Sequence, residues 1–169
     1  PDHLDLISAR TEFYEKPAAL PTVERSSIKM DLHRRDFTIN TLALQLDGQH
    51  FGTLYDFWGG LADLRDGKIR VLHALSFVDD ATRMLRAVRF AQRFGFKIED
   101  RTLSLLKNNL PLFNEISGAR LLHEFNLILQ EREAVSMLQS LDELGILKHI
   151  HKALPWDEGI AQRLTRALP

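Results

Sequence analysis

There is no cysteine in this chain of 169 residues, which excludes a disulfide framework, a thiolate zinc site and a cysteine nucleophile. The absence fits a reducing compartment, and the cytoplasm is the expected location. No apolar run reaches the length of a bilayer-spanning helix and no signal-peptide pattern is present, so no membrane partner is expected. Charge of one sign is missing too. Lys and Arg total 22 against 23 Asp and Glu, a net charge of -1, so any nucleic-acid role must rest on local clusters. No Gly-x-Ser-x-Gly elbow occurs. Seven histidines are scattered, and even His149 and His151 lack a convincing metal spacing. What is present is ordinary: 44% hydrophobic and 27% charged residues, enough for one domain or two small ones with a real core. The chain begins Pro1-Asp2 and ends soon after a helical pattern starts, and it reads as a piece of a longer protein.

The densest stretch is Phe77–Phe96 (FVDDATRMLRAVRFAQRFGF). It predicts one helix, opened by Asp79 or Asp80 as N-cap and closed by Gly95. At about 100° per residue, Met84, Leu85, Val88 and Ala91 share one side. Arg83, Arg86, Arg89 and Arg93 share an arc of about 120° on another, with Asp79 inside it. Four arginines without a lysine suit a planar, multi-donor contact with a fixed partner. The alternative is a capped helix with one Asp79–Arg83 ion pair and a solvated basic face. Composition alone does not separate the two.

Upstream, His3–Ala9 alternates apolar and polar residues as a strand does, and Thr11–Ile28, with Pro17 and Pro21, reads as an extended loop. Asp31–Leu44 predicts a short helix with Leu32, Phe37, Ile39, Leu42 and Ala43 inward. Arg34, Arg35, Asp36 and Asn40 then lie on its exposed side, as a clamp for phosphate and ribose or as a plain charged surface. Asp47-Gly48 predicts a hairpin turn and Asp66-Gly67 another turn before a strand over Lys68–Leu72. Gly59-Gly60 permits a bend or close backbone approach, but lacks the spacing of a phosphate-binding fingerprint. After Phe96 only helices are expected, over Asp100–Leu110, Ser117 or Gly118–Leu129, Arg132–Leu144, Ile146–Leu154 and Gly159–Leu168. A mixed part (1–75) therefore precedes an all-helical part (76–169).

Three stretches together carry a resemblance: Arg34–Asn40 (RRDFTIN), Asp56–Leu64 (DFWGGLADL) and Asp79–Phe90 (DDATRMLRAVRF). In this order over some sixty residues they resemble motifs of the bacterial and eukaryotic-type tRNA nucleotidyltransferase / poly(A) polymerase family, within the polymerase-β-like superfamily. The match runs through Leu129. Ala9–Pro21 resembles the A-adding or poly(A)-polymerase-like branch.

The resemblance implies an α+β fold, the remnant of a nucleotidyltransferase head followed by an all-α neck and partial body. It implies template-independent nucleotide addition to the 3′ end of tRNA or another RNA, with ATP and CTP as substrates and Mg²⁺ as cofactor. By the same resemblance, Arg34, Arg35, Asp36 and Asn40 hold the nucleotide's sugar and triphosphate. Asp56, Gly59 and Gly60 form a hinge. Asp79, Asp80 and Arg83, with Arg86 and Arg89, belong to the base-recognising helix. A carboxylate accepting from an amino group beside an arginine donating to a ring nitrogen suits adenine and cytosine and rejects uracil and guanine. Some positions depart from the family. Asp79 stands where Glu is usual and Ala81 where Pro is frequent. The Gly-Gly loop followed by the Asp-x-Asp metal pair is not in this sequence. Asp5, five residues before Arg10, falls where a third carboxylate is expected, but one carboxylate cannot hold two ions. The metal ligands are therefore unknown from this chain, and the chain alone is expected to be inactive. The competing class is a non-catalytic RNA- or protein-binding helical module built on the same scaffold.

Overall fold

The helix α4, Arg83–Phe94, is the centre about which the other elements pack. The structure is a computed structural model describing residues 6–13, 22–154 and 156–167. Along α4, Met84, Leu85, Ala87 and Val88 are lost to solvent, as the 3.6-residue period predicts. They meet Met137, Leu138 and Leu141 of α7 (Ala134–Glu143), Ile128 of α6 (Gly118–Leu129) and Leu106 of α5 (Asp100–Asn108) in one cluster. Phe37, Ile69 and Phe77 join that cluster from the N-terminal side. Each such fully buried side chain contributes roughly 1.5–3 kcal/mol. Gly95 ends α4 in the left-handed conformation at φ 64°, as expected for a glycine C-cap.

The expected single helix over 77–96 is two. A short α3, Ser76–Asp79, stops at Asp80, whose backbone is extended (φ -147°, ψ 101°). The Asp80 carboxylate accepts from the Thr82 amide at 2.9 Å and the Thr82 hydroxyl at 2.6 Å. This side-chain turn competes with the helical ladder, and α4 starts only after it. The N-cap is therefore neither Asp79 nor Asp80 but Thr82.

Three small sheets accompany the helices. The first is β1 (Arg10–Phe13) against β2 (Thr22–Arg25), antiparallel. Of the strand expected over His3–Ala9, residues 3–5 lie outside the described ones and 6–9 are not in a strand, whereas both strands of this pair, Arg10 apart, fall inside the loop expected over Thr11–Ile28. Next, β3 (Ala43–Leu44) and β4 (Leu54–Tyr55) form the hairpin announced by Asp47-Gly48. Last, β5 (Lys68–Ile69) lies parallel to β6 (Lys97–Ile98), a strand the sequence did not announce. The connection between them is α3 and α4. The β5–β6 pair therefore ties the base of α4 to the segment before it.

The short helix expected over Asp31–Leu44 is also divided. After α1, Ile28–His33, the chain turns and continues as one 3₁₀ turn, Thr38–Asn40. Phe37 is wholly buried and bridges Val71, which pins the turn to the core. Against that turn packs α2, Gly60–Asp66. Asp56 caps it, accepting from the Gly60 amide at 2.8 Å and the Leu61 amide at 3.0 Å. Burial opposes the charge on Asp56, yet these backbone donors hold its pKa below the usual carboxylate value. A Cβ at Gly60 would stand 2.2 Å from the Thr38 carbonyl oxygen, so only glycine allows this approach. Buried Asp63 then locks the pair, accepting from the Thr38 hydroxyl at 2.6 Å and from Arg70 at 2.9 Å.

Beyond α6 and α7, α8 (Ile146–Ile150) and α9 (Glu158–Ala167) complete the helical part. Ser117 caps α6 and Glu99 caps α5, each by accepting from the amide three residues on.

Candidate functional site

Where the turn after α1 meets the start of α4, a cavity of about 610 Å³ opens. Its lining is Arg34, Arg35, Asp36, Asn40, Asp80, Arg83, Arg86 and Phe90. Four guanidinium groups and two carboxylates in one cleft are costly to assemble unless each has a partner. The partners are specific.

Asp31, within α1, is almost fully buried and organises the first two arginines. It accepts from Arg34 at 2.9 Å, from Arg35 at 3.1 Å and from the Arg10 amide at 3.1 Å. Burial raises its pKa, but the bonds from Arg34, Arg10 and Arg35 outweigh that and leave it low. Asp31 was not among the candidate residues. Its spacing, three and four residues before Arg34 and Arg35, was the available signal.

Asp36 is buried rather than on an exposed helix side. One oxygen accepts from the Phe37 amide and the Asn40 side chain, both at 2.9 Å. The other accepts from Arg86 Nε at 2.8 Å and Nη2 at 2.6 Å. Burial disfavours the Asp36 charge, yet the Arg86 charge and these hydrogen bonds hold its pKa below the ordinary value. Arg86 moves the opposite way: burial lowers its pKa, and Asp36 with Glu124 more than restores it.

Arg83 is 6% exposed. Its Nη1 donates to the Ser76 hydroxyl at 2.8 Å and the Ser76 carbonyl at 3.3 Å, and Nη2 donates to the Arg34 carbonyl at 2.8 Å. These bonds leave Nε–H and one Nη2 hydrogen, by the donor inventory of arginine. Arg83 thereby ties the start of α4 to the backbone of the arginine pair. Phe90 supplies an apolar wall, with the Arg86 and Arg89 guanidiniums each 5.2 Å from its ring centre. Phe90 lies seven residues after Arg83 and four after Arg86 on α4, and that helical spacing is the signal in the sequence that places it on the same side.

The remaining candidates lie elsewhere. Asp79 does not pair with Arg83; its acidic oxygen faces His73 Nε2 at 3.5 Å. Arg89 points away from the cavity into a buried ion cluster, 3.2 Å from Glu124 and 3.6 Å from Glu131. The solvated basic face is thus excluded for Arg83 and Arg89, both almost fully buried. Asp56, Gly59 and Gly60 surround the start of α2. Asp5 lies outside the described residues. Among the described residues, no group of three or more His, Cys, Asp or Glu side chains could hold a metal ion. The described residues do not fit a two-metal centre.

A second cavity of about 390 Å³ adjoins the first and shares Asp80 and Arg86 with it, adding Arg120 and His123 of α6. Arg120 donates to Asp80 at 2.6 Å. Nothing local in the sequence signals this contact across forty residues.

A cleft of convergent arginines, with a carboxylate and an aromatic ring within reach, has the chemistry to hold a polyanionic ligand that also carries a polar ring. The chain belongs to the tRNA nucleotidyltransferase / poly(A) polymerase family. Residues 1–70 match the family model described as the Poly A polymerase head domain. Residues 95–157 match the one described as the probable RNA and SrmB-binding site of polymerase A. Over 158 residues the chain is 54% identical to an A-adding tRNA nucleotidyltransferase of Geobacter sulfurreducens, covering 91% of this chain and 18% of that protein. A solved CCA-adding enzyme in an apo form superposes with a TM-score of 0.89 at 45% identity, covering 94% of this chain and 38% of that one. A tRNA nucleotidyltransferase complexed with a primer tRNA and an incoming ATP analog superposes at 0.79 with 44% identity, over 85% of this chain and 43% of that one. The chain thus spans about a fifth of the length of the A-adding relative. The expected order of a mixed head segment followed by a helical body is the observed one.

Proposed function

We propose that this chain supplies nucleotide and RNA recognition for template-independent nucleotide addition to the 3′ end of tRNA. The observation that carries the proposal is the convergence of Arg34, Arg35, Asp80 and Arg83 on one cavity from two segments far apart in sequence. Arg34 and Arg35, prealigned by Asp31, meet the triphosphate. Asn40 and Asp36, braced by Arg86, lie within the same wall for the ribose. Asp80 accepts from the exocyclic amino group of adenine or cytosine, and Arg83 donates a remaining N–H to the adjacent ring nitrogen. Uracil and guanine present a carbonyl and an N–H there and leave these groups unpaired. Similarity to a complex containing an ATP analog and a primer tRNA supports ATP and RNA as ligands.

The division near Ser76, with a head part over 1–75 and neck and body over 76–169, belongs to the same proposal. The two family matches end and begin on either side of it. So does a joint at Asp56, Gly59 and Gly60, where the capped start of α2 packs on the Thr38 backbone. A cytoplasmic place of work follows from a tRNA substrate. The Mg²⁺ expected of the family is not assigned to side chains of this chain. The test is addition of ATP or CTP to a tRNA 3′ end with Mg²⁺ by the full-length protein and by residues 1–169 alone. The full-length protein is expected to be active and the isolated chain inactive. An inactive full-length protein that still binds RNA would favour the non-catalytic module instead.

A further inference from the structure

We propose that a strip of five aromatic rings beside the nucleotide cavity is a stacking surface for unpaired bases of the RNA. The proposal rests on the reading of RNA as a ligand given above and adds where its single-stranded part lies. The rings come from three segments separate in sequence. Tyr55 stacks on Phe57 at 5.8 Å between centres and 15° between planes. Phe57 and Trp58 meet edge to face at 5.4 Å. Trp58 then meets His33 at 5.4 Å, and His33 stacks on His73 at 5.4 Å and 19°. Rings that serve only a core are covered by it, as Phe37 is. Here Phe57 is 40% exposed, His33 is exposed, and Tyr55, Trp58 and His73 are half-buried. Neither Tyr55, Phe57 nor Trp58 joins the apolar cluster around α4.

Three observations select RNA over an apolar partner. The exposed Lys29 ammonium sits 5.6 Å from the Phe57 ring centre, which sets a cation for a phosphate beside a face for a base. The carboxylates nearest the rings are engaged: Asp56 accepts from the Gly60 and Leu61 amides, and Asp79 faces His73 Nε2 at 3.5 Å. The strip also runs into the nucleotide cavity. His33 precedes Arg34 and Asp79 precedes Asp80, and both Arg34 and Asp80 line that cavity. An RNA whose 3′ end reaches the cavity therefore brings its preceding unpaired nucleotides past the rings. Every base has a π-face, so such a strip grips the strand whichever nucleotide was added last.

The experiment measures the Kd of the full-length protein for a fluorescein-labelled single-stranded oligoribonucleotide of mixed sequence and for a blunt RNA duplex. It uses Phe57→Leu, Phe57→Tyr, His33→Ala and Lys29→Gln, with the Kd for ATP and thermal melts alongside. Phe57→Leu and His33→Ala are each expected to weaken the single strand by about five- to fiftyfold and to leave the duplex and ATP unchanged. Phe57→Tyr, which keeps the ring, is expected to bind as the parent does. Lys29→Gln is expected to lower the slope of log affinity against log salt by about 0.7, whereas Phe57→Leu keeps the slope. Single-strand affinity unchanged in both Phe57→Leu and His33→Ala would overturn the proposal; a fall in melting temperature alongside it would mean that another part of the polypeptide covers the strip. Equal losses for single strand and duplex would overturn it too, and reduce the rings to support for the fold. A parent protein that binds neither RNA would instead refute the reading of RNA as its ligand, so the two failures are separable.

Discussion

Replacing Arg83 with methionine separates the two things this side chain does. The substitution keeps much of the volume and removes every donor. In the structure the loss is a 2.8 Å bond to the Arg34 carbonyl, a 2.8 Å bond to the Ser76 hydroxyl and a longer 3.3 Å contact with the Ser76 carbonyl. Bonds from a charged donor contribute roughly 1.5–3 kcal/mol each. The hydroxyl can turn to another acceptor, and the cavity lets water reach the orphaned carbonyl, so the lower part of the range applies. A total of about 2–4 kcal/mol follows, and at about 2–4 °C per kcal/mol for a domain of this size the melting temperature falls by roughly 5–15 °C. The same change removes the N–H left for the ring nitrogen of the base. Discrimination of ATP and CTP against UTP and GTP then narrows by about 1–3 kcal/mol, roughly 5- to 150-fold. Thermal melts and the four incorporation efficiencies of the full-length protein measure both. A lowered melting temperature with intact nucleotide ratios would reduce Arg83 to a brace between α4 and the Arg34 turn. Ratios that move with no change in melting would refute the bonding account.

Three further outcomes follow from the same geometry. Arg35→Ala, a side chain 44% exposed beside Asp31, should weaken all four nucleotides alike, by at most about 1.5 kcal/mol after solvent screening, because a phosphate contact carries no base information; loss of ATP with CTP retained would contradict it. Asp36→Asn takes from partly buried Arg86 its nearer anion, leaving Glu124 at 3.7 Å, and should destabilise the protein by about 1–3 kcal/mol in denaturant unfolding. Since the folded pKa of Asp36, like that of Asp31, is depressed, their contribution is present above the unfolded carboxylate value near about 4 and drains away as pH falls through the folded values; the Asn variant should show a flatter acid limb, and one as steep as wild type would refute it. Gly60→Ala forces a methyl group toward the Thr38 carbonyl and should destabilise by about 1–3 kcal/mol; an unchanged midpoint in denaturant would show that α2 does not pack there.

Local chemistry alone decided a good deal of this molecule. The spacing of Met84, Leu85, Val88 and Ala91 selects the buried face of α4, and Gly95 ends it, because helical period and φ are properties of a few neighbouring residues. Asp47-Gly48 and the Ser117 cap acted at the same short range, and the motif residues Arg34, Arg35, Asp36, Asn40, Asp80, Arg83 and Arg86 were nameable before any of them had a neighbour in space. Tertiary structure decided which of them meet. Arg86 and Arg89 stand three apart on one helix, yet one turns to Asp36 and the other to Glu124, 50 and 35 residues away. A two-residue strand such as β6 carries too little periodicity to be read, and exists because Gly67 and Ile69 offer carbonyls to the Lys97 and Glu99 amides. The break at Asp80 is of the same kind: helix propensity runs through it, and the carboxylate's bonds to Thr82 and to Arg120 on α6 outweigh that propensity. Sequence sets what each residue can offer within a turn of chain; the choice of ion-pair partner across forty residues waits for the packing of α4 against α6 and α7, since burying a charge is permitted only where topology delivers its counterion.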